Sequence, residues 1–402
     1  MFYDISYNIS FYLVKFSIIL IEEMEIQKYF EQKKDLHNLL LQYLDSEEDA
    51  IEFYENLIYL FETKKISENQ KEFKALLQLL TAISKNHHRT SDFFSKIEQI
   101  LLYFKEAIKQ TFSNYQIFKI FKSNKLILLI LLTNNMITLD KHAISQLFEQ
   151  RSPSVTKSCH FFYTELKNLI DEKERKKIEN RLLNYDSNIF SNFEENRKNG
   201  ENESYICQLI RNDSIEEFDL YLNQTNVSHS ARINFSVFET NSFLLNKNPT
   251  LIEYAVFFGS IQIFQYLRLN NVELKPSLWL YAIHGRNADL IHLLEESQVK
   301  PKDKSYQECL EEAIKCHHNE IAQYIQDNFL NDQKIKNDFN KSVLGMSFNY
   351  LNYSFLPNEF DSNIIFYYFC RYGYVDFVND LLKNMDLNVN EKIKISHFFY
   401  FC

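Results

Sequence analysis

Glycine and proline are scarce in this chain, five of each in 402 residues, and tryptophan occurs once. Loops that cradle phosphates need closely spaced glycines so that backbone N–H groups can approach the ligand. Neither G-x-G-x-x-G, nor a P-loop, nor G-x-S-x-G is present, which excludes the common nucleotide-binding and α/β-hydrolase layouts. Tight hairpin turns draw on the same residues, so a sheet-rich fold is disfavoured and an all-α protein is expected. The six cysteines lie far apart with no C-x-x-C pair. That spacing excludes a disulfide scaffold and fits reduced thiols in a cytoplasmic protein. No apolar run is long enough to span a bilayer: Phe11–Ile21 is interrupted by Lys15 and Ser17, and Leu126–Leu132 reads as a buried helix.

What the chain holds in excess is phenylalanine (36) and tyrosine (25). With Ile, Asn and Lys they share AT-rich codons, so the excess reads as composition bias and not as a row of base-stacking platforms. Apolar residues make up 45% and charged residues 24%, enough to bury a real core. The net charge of −10 is unevenly placed: residues 1–200 carry 27 basic and 28 acidic side chains, residues 201–402 carry 17 and 26. The acidic second half lacks the basic footprint that nucleic acid demands and suits a basic protein partner better.

The length suggests two or three domains. Residues 1–23 hold the apolar segment without the basic start of a signal peptide. Met24 opens a clean amphipathic helix and is read as the initiator. From 24 to 193 apolar residues recur at helical spacing, as in Phe73, Leu76, Leu77, Leu80 and Ile83, and a helical N-terminal domain is expected there. Ser46 with Asp49 and Ser67 with Gln70 have the spacing of capping boxes, and Thr138 or Asp140 is placed to cap the helix of Ile144 and Leu147. The charge run Asp171–Lys177 reads as a solvated helix face. The polar stretch 194–204, which contains Gly200, is expected to be a linker.

Residues 205–390 repeat. Ala255, Ala282 and Ala313, spaced by 27 and 31 residues, each follow an apolar residue four positions earlier (Leu251, Leu278, Cys309) and precede one twelve positions later (Leu267, Leu294, Ile325). A further copy uses Ile365, Phe369, Gly373 and Leu381, and a weaker one upstream uses Tyr205, Leu209, Asp213 and Tyr221. Gly259, Gly285 and Gly373 fall at or beside one turn between two short helices. Ser204, Thr250 and Ser277 precede the first helix of their copies, and Glu253 completes a capping box with Thr250. Residues 391–402 are a tail or a partial repeat.

This pattern resembles the ankyrin repeat, most specifically over Thr250–Leu267 and Asn363–Asn390. It departs from it where the histidine of the opening tetrad becomes Ile252 or Trp279, and where the turn glycine becomes Arg286 or His317. A helical N-terminal segment joined to divergent repeats resembles the expanded ankyrin families of trichomonad protists. The resemblance implies a helix-turn-helix solenoid with a concave binding face. A pair of helices this short cannot bury both faces alone, so stacking of neighbours is expected on physical grounds as well.

No catalytic, cofactor-binding or metal-binding set stands out. Cys309, Cys316, His317 and His318 match no zinc spacing, Cys159 and His160 are adjacent and would point apart on a helix, and His87-His88-Arg89 reads as a basic helix end. Trp279 reads as packing. The function expected is that of a non-enzymatic protein-interaction scaffold or adaptor. Glu253, Phe257, Leu280, His284, Glu311 and Lys315 are expected on the outward side of first helices, and Glu273, Lys275, Lys302 and Lys304 on finger loops. The alternative is a membrane-peripheral organiser anchored through residues 1–23.

Overall fold

The structure is a computed structural model, and it describes residues 30–149, 158–302, 305–330 and 336–356 together with Lys28, Tyr368 and Arg371. Among the described residues the regular structure is helical, and the β-type pairing is one isolated bridge between Arg232 and Thr250. The all-α expectation holds. The chain divides into two compact units, Met1–Lys65 with Asp332–Cys402, and Ile66–Asn331.

In the first unit, helix α1 (30–45) and α2 (Ala50–Thr63) share a core with the helix Lys336–Tyr350 and the 3-10 turn Tyr353–Phe355. Phe30 meets Phe348 with ring centroids 5.4 Å apart, and the Ser354 hydroxyl donates to Asn38 Oδ1 at 2.6 Å across 316 residues of sequence. Leu40, Leu44, Leu57 and Phe61 are buried beside them. Ser46 does not cap α2: its hydroxyl donates back to the Tyr43 carbonyl, and the helix starts after Asp49 without a side-chain cap. Residues 1–23 lie outside the described part, as does the repeat copy at 363–390 apart from Tyr368 and Arg371.

The second unit opens with α3 (Gln70–Asn86), α4 (Phe93–Tyr103), α5 (Lys105–Thr111), α6 (Asn114–Phe121), α7 (Lys125–Thr133) and α8 (Lys141–Glu149). The α3 stripe Phe73, Leu76, Leu77, Leu80 and Ile83 is buried throughout. Asn69, not Ser67, caps this helix, its side chain accepting from the N–H groups of Lys71 and Glu72. Asp140 accepts from the Ala143 N–H and starts α8. Leu126, Ile127, Leu128, Leu129 and Leu131 are all buried, so the apolar run at 126–132 is an interior helix.

Next come α9 (Ser158–Phe161), α10 (Tyr163–Leu166), α11 (Glu172–Tyr185) and α12 (Phe193–Asn199). The charge run lies on α11, capped by Asp171, with exposed pairs such as Lys176–Glu172. The stretch expected as a linker instead carries α12 inside the second unit. The reason is Arg197, whose side chain is 4% exposed and pairs with Glu165 (2.6 Å) and with Glu194 while reaching the Phe161 carbonyl. A guanidinium taken out of water needs such partners, and here they tie residues 194–199 to the α9–α10 segment.

The repeat region follows as helix pairs: α13 (Tyr205–Arg211) with α14 (Ile215–Thr225); then, after an insertion carrying α15 (Ser242–Lys247), α16 (Leu251–Phe258) with α17 (Ile261–Leu269), α18 (Leu278–His284) with α19 (Ala288–Glu296), and α20 (Gln307–Lys315) with α21 (Asn319–Phe329). First helices stack on first helices, α13 to α16 to α18 to α20.

One turn recurs in all four pairs. A residue in the left-handed region, Asp213 (φ 50°), Gly259 (72°), Arg286 (53°) or His317 (59°), ends the first helix. The N–H of the following residue returns to a carbonyl five residues back: Ser214 to Leu209, Ser260 to Ala255, Asn287 to Ala282 and His318 to Ala313. This is the helix-terminating bond of a Schellman-type turn, and three of its four acceptors are the alanines on which the sequence copies align. Gly285 sits one position before the left-handed residue, at φ −71°. There the demand is space: a Cβ would lie 2.4 Å from the Phe257 carbonyl oxygen.

Candidate protein-binding surface

The ten positions expected to contact a partner separate into two groups. Glu273, Lys275 and Lys302 are exposed on the loops between pairs, with Lys275 and Glu273 3.9 Å apart, and Lys304 lies outside the described residues. The six first-helix positions are different. Glu253, Phe257, Leu280 and His284 are buried, and Glu311 and Lys315 are half-buried. Glu253, Phe257, Leu280 and His284 thus do not form the open contact face expected of them.

Glu253 is held locally. It forms the expected capping box with Thr250, accepting from the Thr250 N–H at 2.8 Å, and its other oxygen accepts from Ser277 Oγ at 2.6 Å. One carboxylate thus starts α16 and ties it to the start of α18. Ser277 and Ser204 make no side-chain cap of their own.

Phe257 and His284 are covered by the insertion. Asn241 caps α15, accepting from the Phe243 and Leu244 N–H groups, and this places Phe243 on the inner helices. Its ring lies 4.0 Å from the His284 ring, 4.9 Å from Tyr281 and 6.0 Å from Phe257. The insertion is anchored at both ends: Ile233 and Leu251 share backbone hydrogen bonds with Pro249 and Ala231, and Thr240 bonds to the Gly200 carbonyl and receives Arg89 Nη1.

Behind Phe243 lie three chemistry-bearing side chains, His284, Glu312 and Cys316, with donor atoms within 4.8 Å of one another. Glu312 and Cys316 are four apart on and just after α20, a spacing that can place two ligands on one helix face. The geometry does not carry this further. Cys316 Sγ is 3.4 Å from Nδ1 and 3.5 Å from Nε2 of His284. Near-equal distances put the sulfur over the ring and not along either nitrogen's in-plane lone pair, where a ligand or a hydrogen-bonded nucleophile must be. Glu312 Oε1 already accepts from His284 and from Lys315 Nζ. Burial pushes the Cys316 thiol well up and His284 down; at Glu312 burial opposes ionisation, but the bond from His284, its charge and that of Lys315 hold the carboxyl below its usual range. The cluster is an imidazole and a thiol packed on a paired carboxylate.

A second buried group sits beneath the insertion. Burial pushes Lys125 down to about 8 and Glu239 up to about 7, each partly offset by opposite charge, Glu239 acting on Lys125 and Arg89 on Glu239. Glu239 accepts from the Asn241 N–H at 2.7 Å, so it orients the residue that caps α15. Trp279 is fully buried, its indole N–H donating to the Val299 carbonyl at 2.7 Å, and it serves packing. The described cysteines Cys159, Cys207, Cys309 and Cys316 are buried. No helix among the described residues is long and apolar enough to cross a membrane.

Residues 87 and 88, expected as a basic helix end, close α3 and reach the turn after α20. His87 Nδ1 lies 2.8 Å from the Cys316 carbonyl, and the His88 N–H donates to His318 Nε2 at 3.3 Å. Nothing in the sequence marks a contact across some 230 residues. For Phe243 a signal exists: the spacing between the first two copies exceeds the repeat by the length of the insertion. Comparison with protein-family models, with curated proteins and with solved structures found no match to this chain.

Proposed function

We propose that the chain is a non-enzymatic protein-interaction scaffold or adaptor whose stacked helix pairs form a divergent, ankyrin-like solenoid, and that it engages its partner through the finger loops. The observation that carries this reading is the recurrence of one turn geometry through four consecutive helix pairs. Such repetition holds successive loops, and the side chains at their tips, in fixed relation. A rigid array of this kind lowers the ordering cost of association. The burial of His284 and Cys316, with the sulfur off the lone-pair line, supports a binding role over nucleophilic chemistry.

With Phe257 and His284 covered by Phe243, the contact is assigned to the exposed Glu273, Lys275 and Lys302 and their neighbours. The test is partner capture from native lysate by the full chain and by a variant combining Glu273→Lys, Lys275→Glu and Lys302→Glu. A partner retained by the wild type and lost by the variant, with unchanged circular dichroism, is the expected result. Equal retention by both would place the contact elsewhere.

A further inference from the structure

The end of α3 meets the repeats through imidazoles whose hydrogen-bond roles are fixed by their partners. A carbonyl only accepts, so His318 Nδ1, 2.8 Å from the Ile283 carbonyl, must carry a proton and donate. A backbone N–H only donates, so His318 Nε2 must hold a lone pair for His88. Both nitrogens are committed, the ring is fully buried, and one neutral tautomer satisfies the set. By the same logic His87 Nδ1 donates to the Cys316 carbonyl. The His87 and His318 rings stand edge to face at 4.9 Å.

A proton added to His318 would set an N–H against the His88 N–H, breaking that bond and burying a cation. The charged and titratable groups around it do not relieve this. His87 and His88 approach from the end of α3, His284 and Arg286 from the end of α18 and its turn, and Lys315, Cys316 and His317 from the end of α20. The carboxylates in the neighbourhood are engaged, Glu312 with His284 and Lys315, and Glu320 with Arg286 at 2.6 Å. Lys85, in the last turn of α3, faces Lys315 with like charge, a repulsion that separation relieves.

We propose that the His87–His88–His318 junction is an acid-released latch: protonation of His318 detaches the end of α3 from the turn at 316–318 while the helix pairs stay folded. Burial, and then the like charge of His87 and Arg286, lower the affinity of His318 for that proton. Opening is therefore driven by protonation of the released imidazole, whose ordinary pKa is about 6.5. Below that value the opened fraction rises about tenfold for each pH unit. The latch is independent of the binding reading above.

The test is hydrogen exchange of the full chain between pH 7.5 and 5, each rate divided by the intrinsic rate at that pH. Peptides covering residues 83–92 should open at lower free energy than those covering Leu251–Phe258 and Leu278–His284, and should lose protection about tenfold per unit below pH 6.5. In His318→Gln, whose side chain can still accept from His88 and donate to Ile283, protection of residues 83–92 should be flat with pH. The same pH dependence in both proteins would overturn the latch, and so would equal protection of all three segments at every pH. Should His318→Gln not fold, the ring-nitrogen chemical shifts of His318 in the wild-type chain decide the matter. A neutral, Nδ1-protonated ring wherever residues 83–92 stay protected is expected. A charged ring with that protection intact would overturn the proposal.

Discussion

The inner helices and the finger loops of the repeat region come from the same sequence pattern and meet opposite fates. On the loops Glu273, Lys275 and Lys302 stand in solvent. On the inner helices Phe257 and His284, read from the same copies, lie beneath Phe243. A repeat dictates what its neighbours in the stack require, namely the alanine, the apolar partners and the turn. It is silent about what the rest of the chain lays across the stack. A concave face inferred from periodicity alone is thus a statement about shape, and its availability depends on segments outside the period.

The largest expected effect lies at Arg197, which ties residues 194–199 to the α9–α10 segment. Arg197→Ala leaves Glu165 without its buried partner and should cost about 3–5 kcal/mol, the usual penalty for breaking a buried pair, read as the shift in urea midpoint. A neutral result would restore residues 194–204 to the role of a linker. Gly285→Ala should cost about 3 kcal/mol, because its Cβ meets the Phe257 and Val256 carbonyl oxygens at 2.4 and 2.9 Å. Gly259→Ala should cost less, about 1–2 kcal/mol, the strain of a side chain in the left-handed region. Equal costs would mean that stacking does not bring α16 and α18 as close as described.

These two glycines also show how far the sequence could be read. Both were visible as turn glycines, and both lie at the turn. Sequence gave no way to tell that one serves backbone conformation and its neighbour serves close approach, since the left-handed role passes to Arg286. The alanine alignment, the Thr250–Glu253 capping box and the α3 stripe were legible because each depends on residues within one or two turns of helix. Ser67 has the capping-box spacing with Gln70, yet Asn69, two residues on, is the side chain that caps α3. Arg197 looked solvated in a polar stretch because its partner Glu165 lies 32 residues away. The pair His87–His88 was illegible for the same reason at longer range; for Phe243 the sequence marked an insertion and not what it covers.

Acid should weaken the covered side selectively. His284 and His318 are both held below the ordinary histidine range, by burial first. Above about pH 6.5 neither the folded nor the unfolded chain protonates them, and stability is flat. Below it the unfolded chain takes up a proton at His318 that the folded chain does not, so stability falls by up to about 1.4 kcal/mol per pH unit, with a further loss from His284 until its own lowered pKa is reached. Denaturant midpoints from pH 8 to 5 measure this, and a flat profile would mean the two imidazoles are not buried neutral. The smallest effect belongs to the fingers: reversing the charge of Glu273, Lys275 and Lys302 should change stability by less than about 0.5 kcal/mol.

The most direct test of the covered inner face uses Phe243→Ala with unfolding followed at Trp279, the sole tryptophan and fully buried on the adjoining helix. Removing a ring packed on Phe257, Tyr281 and His284 should lower the stability reported at Trp279 by about 3–5 kcal/mol. A change within about 0.5 kcal/mol would contradict the account, leaving the first helices open to a partner as their periodicity alone suggests.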